Sequence, residues 1–587
     1  MEKNRSEMNS DFFWDLSSMF VSDDVFEKTF EEVEKRVKDF KPTDLTDINN
    51  LERTLQEFVD IGEKVENIYV YANMKSHEDG NIAKYQGYAG KADKLAVDFS
   101  TATSFITASI PFFTDEYAKE VLLSEKFATF KHMLKDLFRF KEHTLSPEIE
   151  EILASTRIMA ETPNKVYSML NDVDSNYGMI ENEKGEEVPL TSGNFIVFLQ
   201  SKDRELREKA YKQYYSYYRK HKNTTSTLYS SKVKSNVFYA QTKKYPSSLE
   251  AALFELNVDK KVYTNLIETV HKYLPEYYKY LEKRKNILGV DKLHFYDLYV
   301  SLVESSERKI PYDEAKKEVL ESVKILGDDY VKYANECFDN NWIDVYENKG
   351  KVSGAYSWGS YTGHPYIMLN YNDTTDSLFT LAHELGHAMH SHYSNINQDF
   401  ENAGYTIFLA EIASTFNESI LMDYSLERSK DEDEKKHLVN YFLEQFKGTI
   451  FRQTMFAEFE MKAHELAEKG VTLTTETLSD IYVELLELYF GGLVEIDEEI
   501  RYEWTRIPHF YNSFYVYQYA TGFSAALAFN ALVKENGECA VEKYKGMLKS
   551  GGSDYSLEIL KKAGVDMTSE KPISLALDKF KELVDKF

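Results

Sequence analysis

FTLAHELGHAMHSHY, residues 379–393, gathers His383, His387, His390 and His392 into ten positions of a 587-residue chain that has only 14 histidines. Phe379, Leu381, Ala382, Leu385, Ala388 and Met389 are spaced around them as on a helix with a buried stripe, with Asp373 or Thr375 as a candidate N-cap. A buried imidazole costs free energy unless both ring nitrogens find partners, so something must hold these side chains. His383, Glu384 and His387 form H-E-x-x-H. Residues four apart share a helix face and lie about 6 Å apart along the axis, so both imidazoles can reach one metal ion. Glu384 sits about 100° around the helix from His383, close to such an ion without needing to bind it. That is the place of a general base for water. His390 shares the face, but about 10 Å of rise separates it from His383, too far for one tetrahedral ion. His390 and His392 are therefore expected to support the ligands or to lie at the surface.

A catalytic ion needs a third protein ligand from another element. NAGYTIFLAEIASTFNESILM, 402–422, reads as a second amphipathic helix, close enough in sequence to pack antiparallel to the first. Glu411 is the leading candidate because Phe408, Leu409, Ile412 and Ala413 surround it. Glu418 and, behind it, Glu401 stay open, and Glu418 could instead orient a ligand histidine. The segment AHELAEKG, 463–470, repeats AHEL but has Glu468 where a second histidine would stand, and its charged neighbours predict a solvated helix.

The rest of the chain is dominated by helical periodicity, as in residues 25–40, 51–74 and about 115–143, and the Tyr-rich run 208–222 reads as a helix with an aromatic face. Eleven prolines leave room for long helices. The polar patch 171–194 predicts a small hairpin or loop and the best domain boundary, giving an N-terminal helical domain 1–185 and a catalytic domain 186–587. GAYSWGSYTGHPYIMLNYND, 354–373, is the exception to the helices; alternations such as Tyr366, Met368 and Asn370 predict short strands beside the histidine helix. Gly354, Ala355 and Tyr356 would then lie on an edge able to hold an extended peptide through its backbone.

Composition excludes several classes. A 43% apolar content supports a globular core, and a formal charge of -28 opposes nucleic acid and anionic membrane as partners. No run of about 18 apolar residues and no secretory h-region is visible. With only Cys337 and Cys539 there is no disulfide framework, which together suggests a cytoplasmic protein. In RIPHFYNSFYVYQYATGFSAA, 506–526, His509 precedes Tyr511, Tyr515 and Tyr519, expected on one helical face, with Tyr517 pointing elsewhere. Buried phenols and imidazole together need partners, and such donors suit a tetrahedral oxyanion.

HELGHAMH, LAEIASTFNE, PHFYNSFYVYQYATG and GGSDYSLEILKKAGVDM together resemble the oligoendopeptidase F group of the thimet-oligopeptidase family of zinc peptidases. The resemblance spans most of the chain, with sharp motifs over 354–567 and only a general helical likeness before 180. It implies a mainly α, two-lobed, clam-like protein with a deep channel and a small β-sheet beside the active-site helix, cutting short peptides internally. It further implies one zinc ion on His383, His387 and Glu411, Glu384 as base, and His509 with Tyr515 and Tyr519 at the oxyanion. A zinc exopeptidase, with Arg501 or Arg506 holding a peptide carboxylate, and a peptide-binding protein with a structural zinc remain as alternatives.

Overall fold

Long runs of helix-forming residues, interrupted by few prolines, yield a chain that is mostly helix in the computed structural model, which describes residues 3–303 and 308–587. Packing divides it into two units. The first comprises Met1–Thr144, Glu307–Glu427 and Phe529–Val565; the second comprises Leu145–Ser306, Arg428–Ala528 and Asp566–Phe587.

In the first unit, Ser22 and Asp47 cap the helices Asp23–Asp39 and Ile48–Glu78 by accepting backbone N–H bonds. Leu51, Leu55, Ile61, Ile68 and Ala72, spaced for one face, have no exposure, and Met74 on the opposite side is equally buried. The periodicity over 115–143 does not make one helix. It divides into Asp115–Leu123 and Lys131–Arg139, because the Ser124 hydroxyl accepts the Lys126 N–H and starts a separate 3-10 turn.

The strands expected in 354–373 are present and gain a third partner. In the order β1-β3-β2, β1 (Ile343–Asp344) runs parallel to β3 (Tyr366–Met368), which pairs antiparallel with β2 (Tyr356–Trp358). The expected alternation fails in β3, where Tyr366, Ile367 and Met368 are all fully buried. A central strand covered on both faces has no solvent side to mark with polar residues. β2 is an edge, fixed to the helix Ile48–Glu78 by a 2.8 Å bond between the Tyr356 hydroxyl and His77 Nδ1 and by the Tyr69 ring against Trp358.

In the second unit the Tyr-rich run belongs to the helix Arg204–Thr242, and Tyr211, Tyr214, Tyr215, Tyr217 and Tyr218 are all buried. The polar patch forms the hairpin Met179–Glu181 with Glu187–Pro189, so position 185 lies inside this unit. Glu503, 1% exposed, accepts hydrogen bonds from Arg452, Arg506, Tyr482 and Tyr215. Burial opposes its charge, but the two guanidinium groups win and hold its carboxyl down at about 2. Because that value is depressed, the stabilisation is complete above the ordinary carboxylate range and is lost as pH falls from about 4.5 towards 2. Glu503→Ala leaves buried cationic groups uncompensated and is expected to cost about 3–5 kcal/mol, read from the urea midpoint; a loss under 1 kcal/mol contradicts this.

Candidate metal centre

The histidine helix, Thr375–Asn397, is capped not by Asp373 or Thr375 but by Thr374, whose hydroxyl accepts the Ser377 N–H. The capping residue is the one with extended backbone, φ -105° and ψ 165°, whereas Asp373 has φ +61°. The partner helix, Ile407–Arg428, starts five residues later than the pattern suggested, after a separate turn at Phe400–Ala403.

Gly386, inside the motif, sets how closely the two helices approach. A Cβ there would lie 2.6 Å from Ser414 Cα and 2.7 Å from the Ala413 carbonyl oxygen. Asn417 seals the crossing by donating to the Ala382 carbonyl at 3.2 Å. The residue pairs in contact show that the helices run antiparallel, and the close approach brings the carboxylates of one to the imidazoles of the other.

His383, His387 and Glu411 offer ligand atoms that all lie within 4.8 Å of one another. The two Nε2 atoms are 3.1 Å apart, and Glu411 Oε2 and Oε1 lie 3.7 and 3.9 Å from those of His383 and His387. Ligands about 2.0–2.1 Å from a tetrahedral zinc stand about 3.3 Å apart, so the spacing suits that ion. His383 is raised to about 9, burial being outweighed by the Glu418 hydrogen bond and charge, whereas burial and His383 push His387 down to about 3.

Glu418 is not in the donor set; its Oε1 accepts from His383 Nδ1 at 2.6 Å, which turns Nε2 into the site. Glu401 also lies outside the set. Glu411 is less enclosed than its neighbours in sequence imply, with 42% of its side chain exposed. Glu384, 6% exposed, takes the Ser357 backbone N–H of β2, and its Oε2 has no partner. Burial, reinforced by Glu411 and Glu418 against the opposing His383, pushes its carboxyl up to about 7.

A cavity of about 460 Å³ opens here, lined by His383, Glu384, His387 and Glu411 and, from the sheet edge, by Ala355, Tyr356 and Ser357. Gly354 lines an adjoining recess with Ala355 and Asn370. His390 is not at the surface. It is fully buried, both ring nitrogens lack partners, and it stacks at 3.6 Å on Tyr405, another wall of the cavity. His392 is half-buried against Tyr333, 4.1 Å between ring centres.

The second unit carries His509, Tyr515 and Tyr519. His509 Nε2 is 3.3 Å from the Tyr519 hydroxyl, and the Tyr515 and Tyr519 rings meet edge to face at 5.5 Å. The expected single helix over 506–526 is not formed. Residues Pro508–Tyr511 make a 3-10 turn, Phe514 has φ +61°, and the helix begins only at Tyr517. Tyr511 leaves the series and stacks on Tyr167 at 4.3 Å, while Tyr517 packs on Tyr263. The turn is pinned from behind by the helix Arg452–Glu468, which carries the AHEL copy; Ala463 and His464 of that copy are buried rather than solvated, and its solvated part begins at Glu465. Glu460 accepts the Phe514 N–H at 3.0 Å, and Asn236, 3.0 Å from His464 Nε2, donates to Ser513 at 2.8 Å. His464 is 2% exposed and Glu460 0%. Only Glu465 and the residues beyond it carry the solvent side that the charges announced.

A helical protein with an H-E-x-x-H helix, a carboxylate from the next helix and an edge strand beside them is a metallopeptidase. Comparison with known proteins gives the same class. The model of peptidase family M3 matches residues 197–579, and that described as oligopeptidase F matches 113–177. Oligopeptidase PepF of Bacillus subtilis is 40% identical over 99% of this chain and 88% of its own length. An oligoendopeptidase F homolog of Lactococcus lactis is 39% identical over 99% and 97%. The crystal structure of oligoendopeptidase-F from Enterococcus faecium has a TM-score of 0.71 and 35% identity, covering 96% of this chain and 99% of that one. A Chlamydophila abortus structure reaches a TM-score of 0.94 at 35% identity, covering 100% and 99%. The chain belongs to peptidase family M3.

Proposed function

We propose that this protein is a zinc-dependent endopeptidase that hydrolyses internal bonds of short peptides in the cytoplasm. The observation that carries the reading is the convergence of His383, His387 and Glu411 beside the unpartnered Oε2 of Glu384, within one cavity walled by a sheet edge. The names of the relatives, oligopeptidase and oligoendopeptidase, support the substrate class. The family M3 match over 197–579 supports 186–587 as the catalytic region. Cys337 and Cys539 are unbridged, in keeping with a reducing compartment, and among the described residues no helix is long and apolar enough to cross a membrane.

His383, His387 and Glu411 would hold the ion, and zinc there supplies Lewis-acid chemistry that polarises a carbonyl and lowers the pKa of water. Glu418 fixes the His383 tautomer. The edge at Gly354, Ala355 and Tyr356 pairs with the backbone of an extended peptide, a contact indifferent to most side chains. Glu384 takes a proton from the attacking water as its oxygen bonds to the scissile carbon. It returns that proton to the departing amine as the C–N bond breaks. The family resemblance assigns oxyanion donation to His509, Tyr515 and Tyr519.

The arginines that a carboxypeptidase would need are engaged, Arg501 with Asp480 and Arg506 with Glu503 and Tyr215. The reading is tested by mass spectrometry of peptides blocked at both ends, with and without a chelator. Internal cleavage abolished by the chelator and restored by zinc is expected. Blocked peptides left intact while free ones are trimmed would make it an exopeptidase, and binding without cleavage would make the zinc structural.

A further inference from the structure

A second cavity, of about 580 Å³, adjoins the one at the metal centre, and Trp358, Gly359, Ser391 and Tyr405 line both. It lies at the Trp358–Gly359 end of β2, opposite the recess at Gly354. Its walls are aromatic: Phe58 stacks on Phe99 at 5.5 Å, and Tyr361 meets Phe400 edge to face at 5.6 Å. Set into those walls are two carboxylates, Glu66 and Glu401. Glu66 accepts the Tyr361 N–H at 2.8 Å through one oxygen. Among the described residues neither carboxylate forms an ion pair with a Lys, Arg or His; every basic group paired in this unit meets another acid.

Placing carboxylates against phenyl rings with no cation costs desolvation and gains nothing within the chain. Burial pushes Glu401 up to about 7 and raises Glu66 as well. A long cationic side chain resolves both features at once. Its methylene stem packs on the rings, its charge pairs with the carboxylates, and the aromatic faces add cation–π attraction. A bare apolar side chain would leave the carboxylates unpaired.

We propose that this cavity is a specificity subsite that receives an arginine or lysine side chain of the peptide substrate, with Glu401 and Glu66 as the residues that select it. The inference rests on the peptidase reading of the adjoining metal centre. Because the two cavities meet at one end of the edge strand, and an extended chain advances about 3.3 Å per residue, the selected residue lies at one fixed position within about three residues of the cut bond and on one side of it.

The test is a library of peptides of equal length, cut by the zinc-loaded wild-type protein and read by mass spectrometry, followed by kcat/KM for a matched pair carrying arginine or norleucine at the enriched position. Enrichment of Arg and Lys at a single position, with a preference over norleucine of about tenfold or more, is expected. In Glu401→Gln the preference should fall to within about threefold, chiefly through a loss of kcat/KM for the arginine peptide, and Glu66→Gln should reduce it in part. Glu401→Lys should favour glutamate at the same position. Enrichment of aromatic or aliphatic residues alone, no enrichment at any position, or a cationic preference that survives in the double Gln variant overturns the subsite. Cleavage of the norleucine peptide reports separately on the peptidase reading, since its absence in the wild type removes that reading whatever the subsite does.

Discussion

Glu384→Gln is expected to retain one metal ion per chain and to lose about 10²–10⁴ of kcat, with KM changed by no more than a few-fold. Glutamine has nearly the shape of glutamate and its carbonyl oxygen can still accept the Ser357 N–H, so the packing of the histidine helix against β2 survives. Metal should stay because Glu384 is outside the donor set of His383, His387 and Glu411. What disappears is an atom able to take a proton from water, since the amide nitrogen that replaces one carboxylate oxygen is only a donor. Metal content by elemental analysis and turnover of a blocked peptide are to be measured on the same sample. Near-normal turnover in fully loaded protein removes Glu384 from the role of base. Loss of metal together with activity would instead make it a ligand.

Gly386→Ala is expected to weaken zinc binding by about 10–100-fold and to lower stability by about 1–3 kcal/mol. An exposed helical Gly→Ala change stabilises by up to about 1 kcal/mol, so the sign is itself informative. Here the new methyl meets backbone atoms, Ser414 Cα at 2.6 Å and the Ala413 carbonyl at 2.7 Å, which have no rotamer in which to escape. The helices must separate, and Glu411 and Glu418 move with Ile407–Arg428 away from the histidines. Zinc competition with a chromophoric chelator and a thermal melt of the metal-free protein read the two effects independently. Unchanged affinity in the variant would mean that this crossing does not set the distance from Glu411 to the imidazoles.

Local chemistry was legible and distant chemistry was not. His383, Glu384 and His387 are fixed by the period of one helix, so their relation could be read without knowing the fold. Glu411 and Glu418 are two helical turns apart on one face, and sequence alone left them as rivals. The approach at Gly386 separates them, with Glu411 facing both Nε2 atoms and Glu418 meeting His383 Nδ1. A period of four in the Tyr series predicts one helix, but the helix begins only at Tyr517. The backbone instead turns at Phe514, where φ is +61°, held by Glu460 from 54 residues away. The same distance effect hid His464, whose Asn236 contact spans 228 residues and outweighs the charged neighbours that pointed to solvent. His390 showed the limit of periodicity from the other side. Its place on the ligand face was legible, but its burial against Tyr405 depends on the turn after the histidine helix.

Crystals of protein purified without chelators and supplied with zinc, measured on both sides of the zinc absorption edge, put the question most directly. A single strong anomalous peak bonded to His383 Nε2, His387 Nε2 and a Glu411 carboxylate oxygen at about 2.0–2.2 Å is predicted. No peak there, or a peak on other residues while these three stay apart, would contradict it.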